Sequence, residues 1–121
     1  MKRDFDLIRR ILMQVQNTPA GEYCNELTYP DEYDLATISE HVRLLIDEGL
    51  VNGKMIESFA SIPEFCITGL TWKGHDFIDA AKDNALWEKA KKTILTTTAS
   101  ITFDLLLLWL KTEIKAKLGL P

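Results

Sequence analysis

The sequence predicts a mainly helical fold that carries one small β-hairpin. Three observations lead to this prediction. Apolar residues recur at three- and four-residue steps along most of the chain, as they do in amphipathic helices. Two runs rich in β-branched and aromatic residues, 50–59 and 65–70, are separated by a turn-like segment. The 121 residues are 46% hydrophobic and 26% charged, which is the composition of a globular domain. We expect residues 1–83 to form this domain and residues 84–121 to extend it with helices inside the same compact domain.

The first half of the chain is predicted to contain two helices. Residues 3–16 form the first helix, with Phe5, Ile8 and Ile11 on its apolar face, and the turn-forming residues 17–21 end it. Residues 23–29 alternate loosely and predict one short strand. Asp34 is placed to cap a second helix, with Leu35 among its core residues, and Gly49 is placed to end it.

The second half is predicted to contain the hairpin and three more helices. Residues 60–64 form the hairpin tip, and Thr71 caps a helix that turns Trp72 and Phe77 toward the core. Asp83 or Asn84 starts the next helix, and Ser100 caps the last helix, which ends at Leu118.

The last helix is apolar on nearly all sides through its middle. A helix of this kind has to be buried on all sides, and a partner helix is the simplest way to bury it. We therefore predict a homodimer with contacts through Leu106, Trp109 and Leu110. The alternative is that the chain's own helices surround it.

Several blocks of this sequence resemble a family of uncharacterised bacterial and prophage proteins. The blocks run nearly the whole length, and the most specific is Leu70-Thr71-Trp72-Lys73-Gly74-His75-Asp76-Phe77. The others are Met1-Lys2-Arg3-Asp4, Asp6-Leu7-Ile8-Arg9, His41, Leu44-Leu45-Ile46-Asp47, Gly49-Leu50-Val51 and Trp87 with Lys89, Lys91 and Lys92. The resemblance implies a winged-helix-like fold with a C-terminal helical extension and a bacterial or phage origin. It implies no activity, ligand or catalytic residue.

The order of Gly49-Leu50-Val51, Leu70-Thr71 and Gly74 is also similar to the hairpin region of winged-helix transcription regulators. Those regulators place a full helix before the recognition helix. Here the corresponding residues 27–33 contain Pro30 and acidic turn formers, which leave room for one helical turn. Standard docking in a DNA groove is therefore in doubt.

The charge distribution argues against DNA binding through the second helix. The span 31–64 holds eight acidic residues and two basic ones, a net charge of −6 in a chain whose total is −4. An acidic surface repels phosphates. We expect the outward residues Thr37, His41 and Arg43 to contact bases or a protein partner, with Arg9 and Arg10 of the first helix as further candidates.

Neither a metal site nor a catalytic centre is predicted. Cys24, His41, Cys66 and His75 are ligand types that zinc prefers, but they lack the paired spacing of a zinc site. His75 has no nucleophile beside it in the sequence, so Trp72, Gly74 and His75 are read as a structural motif in which His75 is hydrogen-bonded between hairpin and helix. No cofactor is expected.

The predicted function is a non-enzymatic bacterial or prophage interaction module that acts through an unknown protein partner. The alternative is a winged-helix transcription regulator that binds DNA. The charged start and an apolar run of only 105–110 predict neither a secretory signal nor a membrane span. We expect a cytoplasmic protein with reduced cysteines.

Overall fold

The computed structural model of the protein describes residues 1–97 and 101–121. It is mainly helical with one two-stranded antiparallel hairpin, which confirms the predicted class at that level. Contacts divide the chain into two compact units, Met1–His75 and Asp76–Pro121. The predicted division after residue 83 stays a prediction. The helices are α1 (Phe5–Asn17), α2 (Leu35–Asp47), α3 (Trp72–Ala81), α4 (Asn84–Lys92), α5 (Ile94–Thr97) and α6 (Phe103–Lys117), and the strands are β1 (Val51–Ile56) and β2 (Glu64–Leu70). Across the described ranges, no helix has the length and apolar character needed to cross a membrane.

The first unit begins with two capped helices. The Asp4 carboxylate accepts the Leu7 N–H at 3.1 Å and starts α1, while Asp34 accepts the Thr37 N–H at 2.7 Å and starts α2 as predicted. Gly49 ends α2 in the left-handed region at φ 78°. α1 packs on α2 and β2, and α2 packs on both strands, so the apolar faces of the two helices form a core with the hairpin.

The hairpin pairs Val51 with Leu70 at its base and Ile56 with Glu64 at its tip, with an irregularity between Asn52 and Gly53. Of the predicted strand at 23–29, the structure retains two isolated antiparallel bridges, one between Cys24 and Ile67 of β2 and one between Tyr29 and Tyr33. The Cys24 N–H donates to the Ile67 carbonyl at 2.9 Å, and the Ile67 N–H donates back at 2.8 Å. The chain then leaves β2, so that residues 25–28 are not paired with it.

The second unit is held by aromatic contacts and by ion pairs between its helices. Phe77 of α3 meets Trp87 of α4 edge-on at 6.4 Å and Phe103 of α6 at 4.6 Å between ring centroids. The predicted start at Asp83 or Asn84 is confirmed, because α4 begins at Asn84 and the Asp83 carboxylate caps it by accepting the Leu86 N–H at 2.9 Å, while Thr102 caps α6. The predicted cap Ser100 lies outside the described residues.

Candidate functional site

His41 is a buried structural residue, and the expectation that it faces outward from α2 is wrong. Its exposed fraction is 0%. The backbone N–H of Asp4 donates to Nε2 of His41 at 2.9 Å, so Nδ1 carries the proton and donates to the Thr37 carbonyl at 2.8 Å. The Tyr33 hydroxyl donates to the Asp4 carboxylate at 2.8 Å. His41 therefore fixes the start of α1 against α2 and is not accessible to a base or a partner.

Arg43 lies on the outer side of α2 but is held by two carboxylates. Its guanidinium is 2.5 Å from Glu57, just after β1, and 3.3 Å from Glu40 on its own helix. The hydrogen bond to Glu57 is the main cause that raises the pKa of Arg43 above its ordinary value. These two carboxylates offset the positive charge of Arg43, which weakens its attraction for a phosphate. The one arginine of α2 therefore adds little free positive charge to this acidic surface.

The remaining candidate contacts of the first unit lie on α1 and at the start of α2. Arg10 forms an ion pair with Glu32, and its guanidinium lies 4.5 Å from the centroid of the Tyr29 ring. Arg9 and Thr37 are half-buried. His41 is buried and cannot share a contact surface with these side chains. Their role as contacts stays a prediction.

The motif around Thr71 joins the end of α2 to the start of α3. The Thr71 hydroxyl donates to the Gly49 carbonyl at 2.5 Å and accepts the Gly74 N–H at 3.0 Å, while the Thr71 N–H donates to the Leu50 carbonyl at 3.1 Å. A Cβ on Gly74 would lie 2.0 Å from the Leu50 carbonyl oxygen. Glycine is therefore required at position 74 because the backbones approach so closely.

Two other predictions for this motif are wrong. The side chain of Trp72 is 85% exposed and does not enter the core. His75 is also exposed, so it is not the hydrogen-bonded junction that the sequence suggested. The N-terminal end of α3 turns both side chains outward, and the junction is made by Thr71 and Gly74 together with the ion pair between Lys73 and Glu48 at 2.9 Å.

The first unit contains a half-open groove between α2, the hairpin and residues 25–28. We call it the α2–hairpin groove. Its volume is about 520 Å³, within the range of ligand-binding clefts. Its walls are mostly apolar, and two carboxylates, Glu26 and Glu64, line it as well. The apolar lining comes from Leu27, Leu35, Ile38, Ile56, Ile62 and Phe65.

The walls of this groove are positioned by hydrogen bonds. Ser39, which is 1% exposed, donates from its hydroxyl to the Pro63 carbonyl at 2.8 Å and ties the hairpin tip to α2. The Cys24–Ile67 bridge holds the opposite wall at its inner end. The groove is thus part of the folded first unit and does not depend on a loop alone.

A second cavity, of about 310 Å³, is lined by Cys24 and His75 together with residues 18–22. Burial raises the pKa of the Cys24 thiol, which favours the protonated form, and a nucleophilic cysteine needs the opposite shift. Cys24 and Cys66 are free cysteines. Within residues 1–97 and 101–121, no group of three His, Cys, Asp or Glu side chains is arranged to hold a metal ion.

The candidate dimer contacts on α6 are corrected by their burial. Leu106 and Leu110 are 0% exposed inside a single chain, so a second copy cannot reach them. Trp109 is half-buried. The accessible apolar residues are instead Leu105 and Leu108, at 51% and 61% exposure. The helix is therefore covered on one side by its own chain and open on the other.

Sequence reasoning missed the residues that line the α2–hairpin groove. Leu35 was expected in the core because it falls in the apolar register of α2, but it is 55% exposed at the first turn. Ile62, at 45% exposure, lies in the hairpin tip. The available signal was apolar residues in a turn segment, where polar residues are usual. Phe59, which is fully exposed just before the hairpin tip, is another apolar residue of this kind.

Comparison with known proteins identifies the family of this chain. It is 31% identical over 109 residues to an uncharacterized protein of Haemophilus influenzae, an alignment that covers 86% of this chain and 87% of the relative. No solved structure matches it. The profile of a family described as hypothetical protein (DUF2513) matches residues 2–100. The chain therefore belongs to the DUF2513 family.

Proposed function

We propose that this protein is a non-enzymatic interaction module that acts through protein contacts. The observation that carries the proposal is the α2–hairpin groove, an apolar cleft of about 520 Å³ with two carboxylates in its lining. Exposed apolar clusters on a folded domain are typical of binding surfaces. The adjoining helix α2 offers little to nucleic acid, since Arg43 is ion-paired and His41 is buried.

The arrangement of the first unit supports a winged-helix-like fold as part of this proposal. After α1, Cys24 pairs with β2 in the position of a short first strand, and a turn at 29–33 precedes α2. The hairpin β1–β2 then takes the place of the wing. The turn is stabilised by hydrogen bonds from the Glu32 and Tyr33 N–H groups to the Tyr29 carbonyl, at 3.2 and 3.1 Å.

The same topology favours a second candidate, a winged-helix regulator that binds DNA. In that function Thr37 and Arg43 would contact DNA through α2, and Arg9 and Arg10 would contact its backbone. The net charge of −6 over 31–64 opposes it, because phosphate contacts supply most of the affinity for DNA. Protein contacts are therefore the preferred proposal.

Burial raises the pKa of the Cys24 thiol, so Cys24 is a poor candidate for a nucleophile in the cavity that it lines with His75. The relative in Haemophilus influenzae supports a bacterial origin, and a prophage origin is kept as part of the proposal. A cytoplasmic location is supported by the free cysteines, which suit a reducing compartment.

A homodimer also belongs to the proposal, now through a different face of α6. Leu105 and Leu108 lie one turn apart on the open side of the helix, with Trp109 beside them. A two-fold axis would let this stripe meet its own copy and close the interface.

Two measurements test the proposal. Fluorescence anisotropy with mixed-sequence duplexes and with duplexes from upstream of its own gene is expected to show no sub-micromolar, sequence-dependent binding at physiological salt. Affinity capture from the source cells is expected to retain a protein on the wild type that Ile62→Glu loses. Leu118→Glu is the matched control, because Leu118 is also exposed but lies outside the groove. Tight, sequence-dependent DNA binding that Arg43→Ala abolishes would overturn the proposal in favour of the regulator.

A further inference from the structure

The α2–hairpin groove has the features of a site for a particular kind of peptide, and this inference rests on the proposed protein-docking function. We propose that the groove binds an extended segment of a partner protein in which apolar residues alternate with lysine or arginine. Three independent features of the groove support this occupant: its exposed apolar walls, its charge and a strand edge that faces it.

The apolar walls explain why the occupant carries apolar side chains. Leu35, Ile56 and Ile62 come from three separate elements, and each is between 45% and 55% exposed. Together they form a contiguous apolar lining that the chain itself leaves open to solvent. Covering them with apolar side chains of a partner is favourable because it removes apolar surface from water.

The charge explains why the occupant is cationic. Glu26 and Glu64 line the groove, and within the described part of the chain neither carboxylate forms an ion pair. Other acids, such as Glu48 with Lys73 and Glu57 with Arg43, are neutralised by cations of the same chain. A lysine or arginine of the partner would complete pairs that this surface leaves open. An acidic segment would be repelled.

The strand edge explains why the occupant is extended. Ile67 uses both its N–H and its C=O to pair with Cys24, on the side of β2 that faces away from β1. Backbone groups two residues apart on a strand point to the same side, so the N–H and C=O of Phe65 point away from β1 as well. Residues 25–28 do not pair with β2 beside Phe65 and instead line the groove. Phe65 lines the groove but is only 8% exposed, so a partner segment has to enter the groove to continue the ladder that stops at Cys24, as in β-strand addition.

The test uses fluorescein-labelled synthetic peptides of eight residues and the full-length protein, measured by anisotropy at two salt concentrations. The first peptide alternates isoleucine and valine with lysine and arginine. In the second, glutamate replaces the cations. In the third, serine replaces the apolar residues, and the fourth is the first peptide with N-methylated backbone amides at alternate positions. Only the first is expected to bind in the micromolar range, with affinity that falls as salt rises.

Two charge reversals locate the binding on the protein. Glu64→Lys is expected to weaken the first peptide about tenfold at low salt, which is the effect of roughly 1.4 kcal/mol. Glu22→Lys changes the net charge equally but lies at the other cavity, so it should change the affinity less than twofold. Thermal unfolding of both variants checks that they remain folded.

Several results would overturn the inference. They are equal binding of the cationic and acidic peptides, binding of none of the four, tight binding of the N-methylated peptide, or the same response to both charge reversals. A change in oligomeric state caused by Glu64→Lys would assign the groove to a second copy of the chain instead. These failures are distinct from failure of the proposed function, which is decided by DNA binding and by whether Ile62→Glu still captures a partner.

Discussion

Replacing Gly74 by alanine tests the close backbone contact between the start of α3 and the end of α2. On an exposed helix, this change would be stabilising by about 1 kcal/mol, because alanine has the higher helix propensity. Here the new Cβ would lie 2.0 Å from the carbonyl oxygen of Leu50, whereas real Cβ atoms essentially never come closer than 3.0 Å. The backbone has to move by about 1 Å, since the clash is with main chain and not with a flexible side chain.

The size of the effect follows from the hydrogen bonds at this junction. The Leu50 carbonyl accepts the Thr71 N–H at 3.1 Å, and the Thr71 hydroxyl donates to the Gly49 carbonyl at 2.5 Å. A shift of about 1 Å breaks or weakens both, at about 1 kcal/mol each, and overpacking adds about 1 to 3 kcal/mol. After subtraction of the propensity gain, we expect a net loss of about 2 to 4 kcal/mol.

Urea unfolding followed by circular dichroism measures this loss. Gly69→Ala is the matched control, because a Cβ at that glycine of β2 meets nothing within 4 Å and its φ is not positive. The control is expected to stay within about 0.5 kcal/mol of the wild type. A Gly74→Ala protein as stable as the control, or more stable than the wild type, would refute the reasoning that the Leu50 contact fixes this residue.

Three further predictions concern other parts of the chain. His41→Ala should cost about 1 to 3 kcal/mol in thermal unfolding, because it leaves the partly buried backbone N–H of Asp4 without its acceptor, while His75→Ala at an exposed position should cost less than about 0.5 kcal/mol. Equal melting temperatures of the two variants would contradict this. In light scattering at tens of micromolar protein, the wild type should be a dimer and Leu108→Glu a folded monomer, whereas Leu106→Glu should unfold because it buries a charge. A monomeric wild type would exclude the dimer. Burial raises the pKa of Tyr29 to about 12 from its ordinary 10.0, so the stability that this raised pKa contributes is full below pH 10 and is lost as the pH rises toward 12. Between pH 9 and 11 the urea midpoint should therefore fall less in Tyr29→Phe than in the wild type, and an equal fall in both would contradict the raised pKa of Tyr29.

Local signals in the sequence were sufficient for most of the helices and strands. Asp34 was recognised as a cap, and the start of α4 was placed at Asp83 or Asn84, because a short acceptor before an apolar period is a strong local signal. Gly49 was recognised as a stop for the same kind of reason, and it does take a positive φ. The hairpin followed from residue composition on both sides of a turn. These features depend on neighbours within a few residues, which the sequence displays directly.

Side-chain orientation at the candidate site depended on contacts that are distant in the chain. His41 faces inward because the backbone N–H of Asp4, 37 residues earlier, donates to its ring. Leu35 fits the apolar period of α2, yet it lies at the first turn, where the α2–hairpin groove leaves it exposed. Periodicity assigns a face to a residue but cannot tell which part of that face another element covers.

The residues that hold the first unit together also restrict what it can bind. His41 joins α1 to α2, and Arg43 joins α2 to the residue after β1. Two of the three α2 side chains that were expected to contact DNA or a partner are therefore engaged within the fold. What this helix and the hairpin leave accessible is apolar surface beside Glu26 and Glu64, two carboxylates that form no ion pair among the described residues. Such a surface favours a cationic, apolar polypeptide over a polyanion, because one partner satisfies both features while a phosphate backbone satisfies neither.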